Sequence, residues 1–222
     1  MSSHHSHDLP SVFETDPTAD LPGRRPEEGQ PAAGFVRPAV VTDLEAIGRV
    51  HAAAMLASLR QAHTVAHAGA VLPVGVEAMI APAVLTAGWE QAVVEPSAPG
   101  HHVLVATDAE AVVGLVAPPP PTQGQAVDEQ GAPAQGDPEP GAEVTALGVD
   151  PAAQRCGHGS RLLAAASDLA RADGAQVMVV WAVRGDESLE GLLTAAGMER
   201  TGSWRELPVG QGVVEDCWAA AL

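Results

Sequence analysis

The stretch from Glu143 to Gly174 leaves little choice of local fold. Glu143-Val144-Thr145-Ala146-Leu147-Gly148-Val149 alternates polar and apolar residues, the period of a half-buried strand. Asp150-Pro151 ends it, because proline offers no N–H to a ladder and holds its predecessor extended. From Ser160 the apolar residues Leu162, Leu163, Ala166, Leu169 and Ala170 recur at helical spacing and share one broad face, and Asp173-Gly174 marks the exit. Between strand and helix lies Gln154-Arg155-Cys156-Gly157-His158-Gly159. Gly157 and Gly159 carry no Cβ where the backbone turns into the helix, so free N–H groups and the positive end of the helix dipole converge on one spot. That spot suits a phosphate.

The two commonest phosphate loops do not fit. A P-loop needs Gly-Lys-Ser/Thr, and the chain contains no lysine; a dinucleotide fingerprint needs three glycines at its own spacing and a later acidic residue. Gln154-x-x-Gly157-x-Gly159, five residues after Leu147-Gly148-Val149, resembles instead the pyrophosphate loop of the GNAT superfamily of N-acetyltransferases, written Gln/Arg-x-x-Gly-x-Gly/Ala. Val36-Arg37-Pro38-Ala39-x-x-x-Asp43-Leu44-x-x-Ile47 is similar to the family's opening strand and helix. The resemblance implies an α/β fold: a mixed, mostly antiparallel twisted sheet flanked by helices, with a central parallel strand pair splayed to admit coenzyme A. It implies acetyl-CoA as cosubstrate. Backbone groups of Leu147, Gly148 and Val149 would pair with the pantetheine arm, and the loop of Gln154, Arg155, Cys156, Gly157, His158, Gly159 and Ser160 would hold the pyrophosphate.

Read along the chain, residues 1–34 are rich in Ser, His, Pro and acids and are expected to form a disordered tail; His4, His5 and His7 lack partner ligands and are assigned no metal. Residues 35–222 are expected to form one domain. A helix is expected from Asp43 to about Gln61, capped by Thr42 or Asp43, with Leu44, Ile47, Val50, Ala54 and Leu59 inward. An irregular stretch with His63 and His67 should precede a second helix over Val76–Val93, with a break at Pro82. His101–Ala106 and Ala111–Val116 read as a hairpin turning at Thr107–Glu110. The Pro, Gly, Gln and acid-rich residues 118–142 read as an insertion. Gln176–Val183 is a nearly continuous apolar run, expected to be a strand covered on both faces and parallel to the central one. Asp186 opens a helix to about Ala195 that ends at Gly197, and Met198–Leu207 with Val213–Leu222 should close the sheet as an antiparallel pair.

With aromatic residues at 3% and no tyrosine, Trp89, Trp181, Trp204 and Trp218 are the candidates for large core pieces. A formal charge of −17 argues against nucleic acid as ligand. It is compatible with a cationic amine, although net charge speaks to solubility before mechanism. No run is long enough to span a bilayer, no signal peptide opens the chain, and two cysteines do not build a disulfide framework; a soluble cytoplasmic protein is expected. The partners implied are acetyl-CoA and an amine acceptor, with a homodimer allowed and neither nucleic acid nor membrane.

Acyl transfer to an amine needs a held donor, a deprotonated amine, oxyanion stabilisation and a proton for the thiolate. By resemblance, Glu143 stands where many family members carry a glutamate acting as base, directly or through water. The alternative is an exposed strand-end carboxylate. His63, His67, His101 and His102 are alternates by intrinsic pKa. A backbone amide near Val149 would serve the oxyanion. The family's usual acid, a tyrosine, falls at Leu193, and Asp186 replaces a cofactor-touching asparagine; water, the ammonium product or Ser188 would have to supply the proton. Arg161 could add charge to the loop or be solvated, and Cys156, at a helix N-terminus, is either a redox-sensitive thiol or a solvent-facing loop residue. The missing tyrosine and asparagine keep a non-catalytic acyl-CoA-binding regulatory module open as the alternative function.

Overall fold

The computed structural model describes residues 34–96, 100–118, 140–207 and 212–222, with the backbone of 122–123. The expected tail with His4, His5 and His7, and the insertion apart from its two ends, lie outside these residues. The elements are β1 (Val36–Pro38), a 3-10 turn (Val41–Asp43), α1 (Leu44–Ala66), α2 (Val74–Met79), α3 (Pro82–Val94), β2 (Leu104–Asp108), β3 (Ala111–Ala117) and β4 (Thr122–Gln123). Then follow β5 (Pro140–Val144), β6 (Ala146–Val149), a 3-10 turn (Pro151–Ala153), α4 (His158–Ala172), β7 (Val177–Val183), α5 (Glu187–Ala195), β8 (Glu199–Glu206) and β9 (Val214–Ala221).

The strands form two sheets. One has the order β1-β2-β3-β6 and is antiparallel throughout; the other runs β4-β5-β7-β9-β8, with β5 and β7 as its parallel pair. The single strand expected over Glu143–Val149 is therefore two. Residues 141–144 pair with β7, whereas 146–149 turn away to pair with β3. Thr145 makes the break: its N–H and its Oγ both donate to the Ala117 carbonyl, at 3.0 Å each. Past this residue β6 and β7 are not hydrogen-bonded, and the wedge between them is where the site forms.

Alternation along the strands divides the core. Val105, Val112 and Leu115 face α1 through Ile47 and Val50, while Leu104, Ala106 and Val116 join Leu162, Leu163 and Ala166 of α4. Ala142, Val144, Met178, Val180, Ala182 and Trp218 of the second sheet pack with α4 and with Leu193 of α5. Each buried Leu or Val contributes about 1.5–3 kcal/mol relative to exposure. The helical period in α4 and the strand period in β2, β3 and β7 thus converge on one interior. β7 departs from the expectation of two covered faces: Met178, Val180 and Ala182 are buried, but Val179, Trp181 and Val183 are only half-buried. Its second face borders the open wedge.

Other differences are local. α1 runs on to Ala66 and carries a buried His63, placed by sequence in an irregular stretch, because Leu59 and Ala62 extend its apolar stripe and cluster with Leu72. The break at Pro82 is realised as two separate helices, with Pro82 at the first turn of α3, where its missing N–H leaves no bond unmade. Of the four tryptophans only Trp218 is buried, and Trp204 is 61% exposed. Asp43 precedes α1 without capping it; its carboxylate accepts two bonds from Arg37, at 2.6 and 2.9 Å, and one from the Val40 N–H at 2.9 Å. No helix among the described residues is long and apolar enough to cross a membrane.

Candidate active site

The loop into α4 is a bare backbone cradle. Gly157 precedes the helix at φ +80°, a left-handed geometry that costs a side-chain-bearing residue about 1–2 kcal/mol, and Arg155 stands at φ +66°. The first intrahelical bond runs from the Arg161 N–H to the Gly157 carbonyl (3.1 Å), which leaves the N–H groups of His158, Gly159 and Ser160 without helical partners. A Cβ on Gly159 would lie 2.9 Å from Leu192 Cδ2, so glycine here lets α5 pack against the start of α4. Ser188 on α5 donates to Gln154 Oε1 (3.2 Å), and Gln154 Nε2 reaches the Val149 carbonyl (3.4 Å). Asp186 caps α5 by accepting from the N–H groups of Ser188 and Leu189, at 3.1 and 3.0 Å.

His158 and Arg161 complete the cradle. Arg161 donates to His158 Nδ1 at 3.0 Å; since a guanidinium has no acceptor, the ring proton sits on Nε2. Burial first, then the positive charge of Arg161, holds His158 below the ordinary imidazole value, against a weaker pull from Asp108. The loop therefore presents N–H groups, a neutral ring and a tethered guanidinium.

β6 supplies the second element. It is the edge of its sheet, and the Asp150 N–H donates to the Val113 carbonyl (2.8 Å). Antiparallel alternation then turns the polar groups of Gly148 toward β3 and those of Leu147 and Val149 toward the wedge. Gly148 is required for a different reason: a Cβ there would meet Ala54 Cβ of α1 at 2.9 Å.

Both elements line one cavity of about 530 Å³. Its other walls include His51, Met55, Ser58 and Leu59 of α1, Trp181 and Val183 of β7, and Glu215 of β9. Trp89 of α3 donates its indole N–H to His51 Nδ1 at 3.0 Å, which fixes the neutral tautomer with the proton on Nε2. Burial lowers the His51 pKa, and the indole donor works in the same direction because a protonated Nδ1 would face another N–H. His51 should thus titrate below an ordinary imidazole, and Trp89→Phe should move it back up; an NMR titration of the ring that finds no change in the variant refutes the coupling.

Beyond the wall formed by Trp181 and Glu215, Glu143 and Arg205 share with them one face of the second sheet, as the pairings Glu143↔Val179, Trp181↔Cys217, Val183↔Glu215 and Arg205↔Glu215 require. Arg205 lies over the Trp181 ring, 4.3 Å from its centroid. Its Nε donates to Glu215 Oε2 at 2.7 Å, and its Nη1 lies 3.5 Å from Glu143 Oε1.

The model of the Acetyltransferase (GNAT) family matches residues 77–193, more than half of the chain. The chain belongs to the GNAT acetyltransferase family. No curated protein matches it by sequence. Solved structures share the fold at low identity. The PaiA N-acetyltransferase of Thermoplasma acidophilum in complex with coenzyme A superposes with a TM-score of 0.56 at 13% identity, over 86% of this chain and 100% of that one. The ribosomal-protein-alanine N-acetyltransferase of Brucella melitensis gives 0.53 at 20% identity, over 85% and 99%. The Salmonella typhimurium protein yncA with its cofactor acetyl-CoA gives 0.52 at 20% identity, over 86% and 94%.

Within this GNAT domain, nine of the ten residues expected at the cofactor (Leu147, Gly148, Val149, Gln154, Arg155, Gly157, His158, Gly159 and Ser160) line the cavity. The tenth, Cys156, is exposed and outside the lining, with its Sγ 3.6 Å from the Gln154 carbonyl. Glu143 lies outside the lining as well, its side chain 48% exposed. Leu193, where the family's tyrosine would stand, is fully buried in the core and does not reach the cavity. Of the alternate bases, none of His63, His67, His101 and His102 is in the lining, and His102 pairs with Asp173 at 3.0 Å. Sequence reasoning missed His51 and Glu215. The period-2 pattern of β9 could have placed Glu215 beside Cys217, but no local signal marks the approach of Trp89 to His51 from 38 residues away.

Proposed function

We propose that the protein binds acetyl-CoA in this cavity and transfers the acetyl group to a primary amine. The observation that carries this reading is the union, in one cavity, of a Cβ-free helix N-terminus with orphan N–H groups and an unpaired strand edge beside it. The first fits a pyrophosphate; the second fits an amide-bearing arm laid down as an extra strand.

The donor supplies a thioester carbonyl activated for attack. The N–H groups of His158, Gly159 and Ser160, with Gln154 and Arg155 beside them, would hold its phosphates, and Leu147 and Val149 would align the arm. A β6 amide near Val149 would donate to the developing oxyanion, already aimed at the place where the charge appears. Glu143, half-exposed on the acceptor face, would take the ammonium proton through a water. Leu193 offers no proton, so Ser188, the ammonium or water returns one to the thiolate. We place the protein in the cytoplasm, where Cys156 and Cys217 stay as thiols.

The test is thermal unfolding with coenzyme A followed by thiol release from acetyl-CoA across an amine panel. A ligand at 100 times its Kd adds about 2.7 kcal/mol, which in a domain of this size raises Tm by roughly 5–10 °C. The expected result is that shift together with amine-dependent thiol release. A shift with no release on any amine favours the regulatory binding module instead, and no shift rejects both.

A further inference from the structure

Around Glu143, the acceptor face carries side chains that the transfer reaction itself does not call for. Glu143 on β5, Trp181 on β7 and Glu215 on β9 stand on adjacent strands of the same sheet face, and the Arg205 guanidinium of β8 is inserted among them. An aromatic ring flanked by carboxylates is the chemistry that recognises an organic cation, through the ring quadrupole and two charged acceptors. Here the cation in place is the protein's own. One guanidinium set against two carboxylates leaves the group with a net negative charge, and its two carboxylates differ. Glu215 is largely buried in the cavity wall with its side chain 14% exposed, while Glu143 is open at 48%. Arg205 itself is 49% exposed, so the guanidinium can leave toward solvent without crossing the core.

We propose that Trp181 and Glu215 form a cation-binding box for the acceptor, with Arg205 as its resident stand-in and Glu143, at the open side, left to take the proton. The acceptor is then an amine that carries a second positive charge and no carboxylate. Its remote ammonium takes the place of the guanidinium over Trp181 and beside Glu215, and this seats the reacting amine toward β6. The neighbouring walls agree with such a ligand. Met55, Leu59 and Val183 line the same cavity as Trp181 and Glu215 and give it an apolar wall suited to a short methylene chain. Arg205 also prevents the pair of carboxylates from standing unneutralised when the site holds no acceptor.

This inference rests on the acetyltransferase reading, and the test separates the two. Affinity for 1,4-diaminobutane, n-butylamine and 4-aminobutyrate is measured by isothermal titration, with and without coenzyme A, on the full chain. The expected order is diamine over monoamine over zwitterion. Arg205→Ala and Arg205→Gln should each tighten diamine binding about tenfold by removing the competitor, and Glu215→Gln should weaken it about tenfold. Trp181→Leu should abolish the preference of diamine over monoamine, while far-UV circular dichroism and a cooperative thermal transition like those of wild type certify that each variant is folded. Equal affinity for diamine and zwitterion, weaker diamine binding in both Arg205 variants, or no diamine binding by any form overturns the box. A missing coenzyme A shift in wild type rejects the acetyltransferase reading, while a charge order that survives it keeps the box.

Discussion

Gly157→Val should lower the affinity for coenzyme A about 100-fold while leaving the protein folded. A β-branched residue at φ +80° carries more than the usual penalty of about 1–2 kcal/mol for a left-handed residue. The backbone relieves it by rotating away, which re-aims the N–H groups of His158 and Gly159. Losing two charge-assisted bonds at about 1.5 kcal/mol each gives the expected factor. The contrast that makes this a statement about the cradle is Gly174→Ala. That glycine is also left-handed, at φ +91°, but lies at the far end of α4 with open space around it. It should cost stability alone. Titration calorimetry with coenzyme A, beside thermal unfolding, separates the two; equal coenzyme A affinity in Gly157→Val and wild type refutes the assignment of the cradle.

The cradle was legible because its determinants are local. Two glycines, a strand before them and an apolar stripe after them sit within about thirty residues, and backbone geometry follows from neighbours in sequence. The element order was legible for the same reason: period 2 and period 3.6 are properties of short windows. What escaped was decided across the chain. The alternation over Glu143–Val149 is continuous, so nothing local announces that Thr145 divides it. The division arises because residues on either side find different partners, β7 and β3. Glu143 was read from its place on the strand, yet the guanidinium 3.5 Å from it comes from residue 205. By composition Trp181 is core material, and its run of apolar neighbours hides the fact that Trp181 and Val183 of β7 face a cavity. The helix-start half of the cavity is written in consecutive residues, and the half on the second sheet in strand register.

That register is itself held by charge. Asp216, opposite Ala182 on the buried face of β9, accepts from Arg184 through Nε, at 2.9 and 3.2 Å, and through Nη2 as well. Arg200 of β8 stands 4.0 Å away, lies over Trp218 and pairs with Glu190 of α5 at 2.8 Å. One carboxylate thus ties β7, β8 and β9 together and, through Arg200, steadies the helix that carries Ser188 and packs on Gly159. Asp216→Asn keeps the shape and removes the charge. It should cost about 2–3 kcal/mol at pH 7, less than a fully buried pair because both arginines are half-exposed, and lower Tm by roughly 4–12 °C. The pH dependence has a definite sign. The Arg184 hydrogen bonds, opposed by burial and helped by the charges of Arg184 and Arg200, hold the folded pKa of Asp216 below its unfolded value. The stabilisation is therefore complete above the ordinary carboxylate range and is lost as pH falls through the depressed folded value. Wild type and Asp216→Asn should differ fully above about pH 5 and converge toward pH 2. Asp43, lowered first by its hydrogen bonds from Arg37, keeps its own contribution in the variant, so an acid transition persists with a reduced slope. Urea unfolding at intervals from pH 2 to 8 measures this directly, and a difference between the two proteins that stays constant down to pH 2 would show that Asp216 is held by something other than its charge.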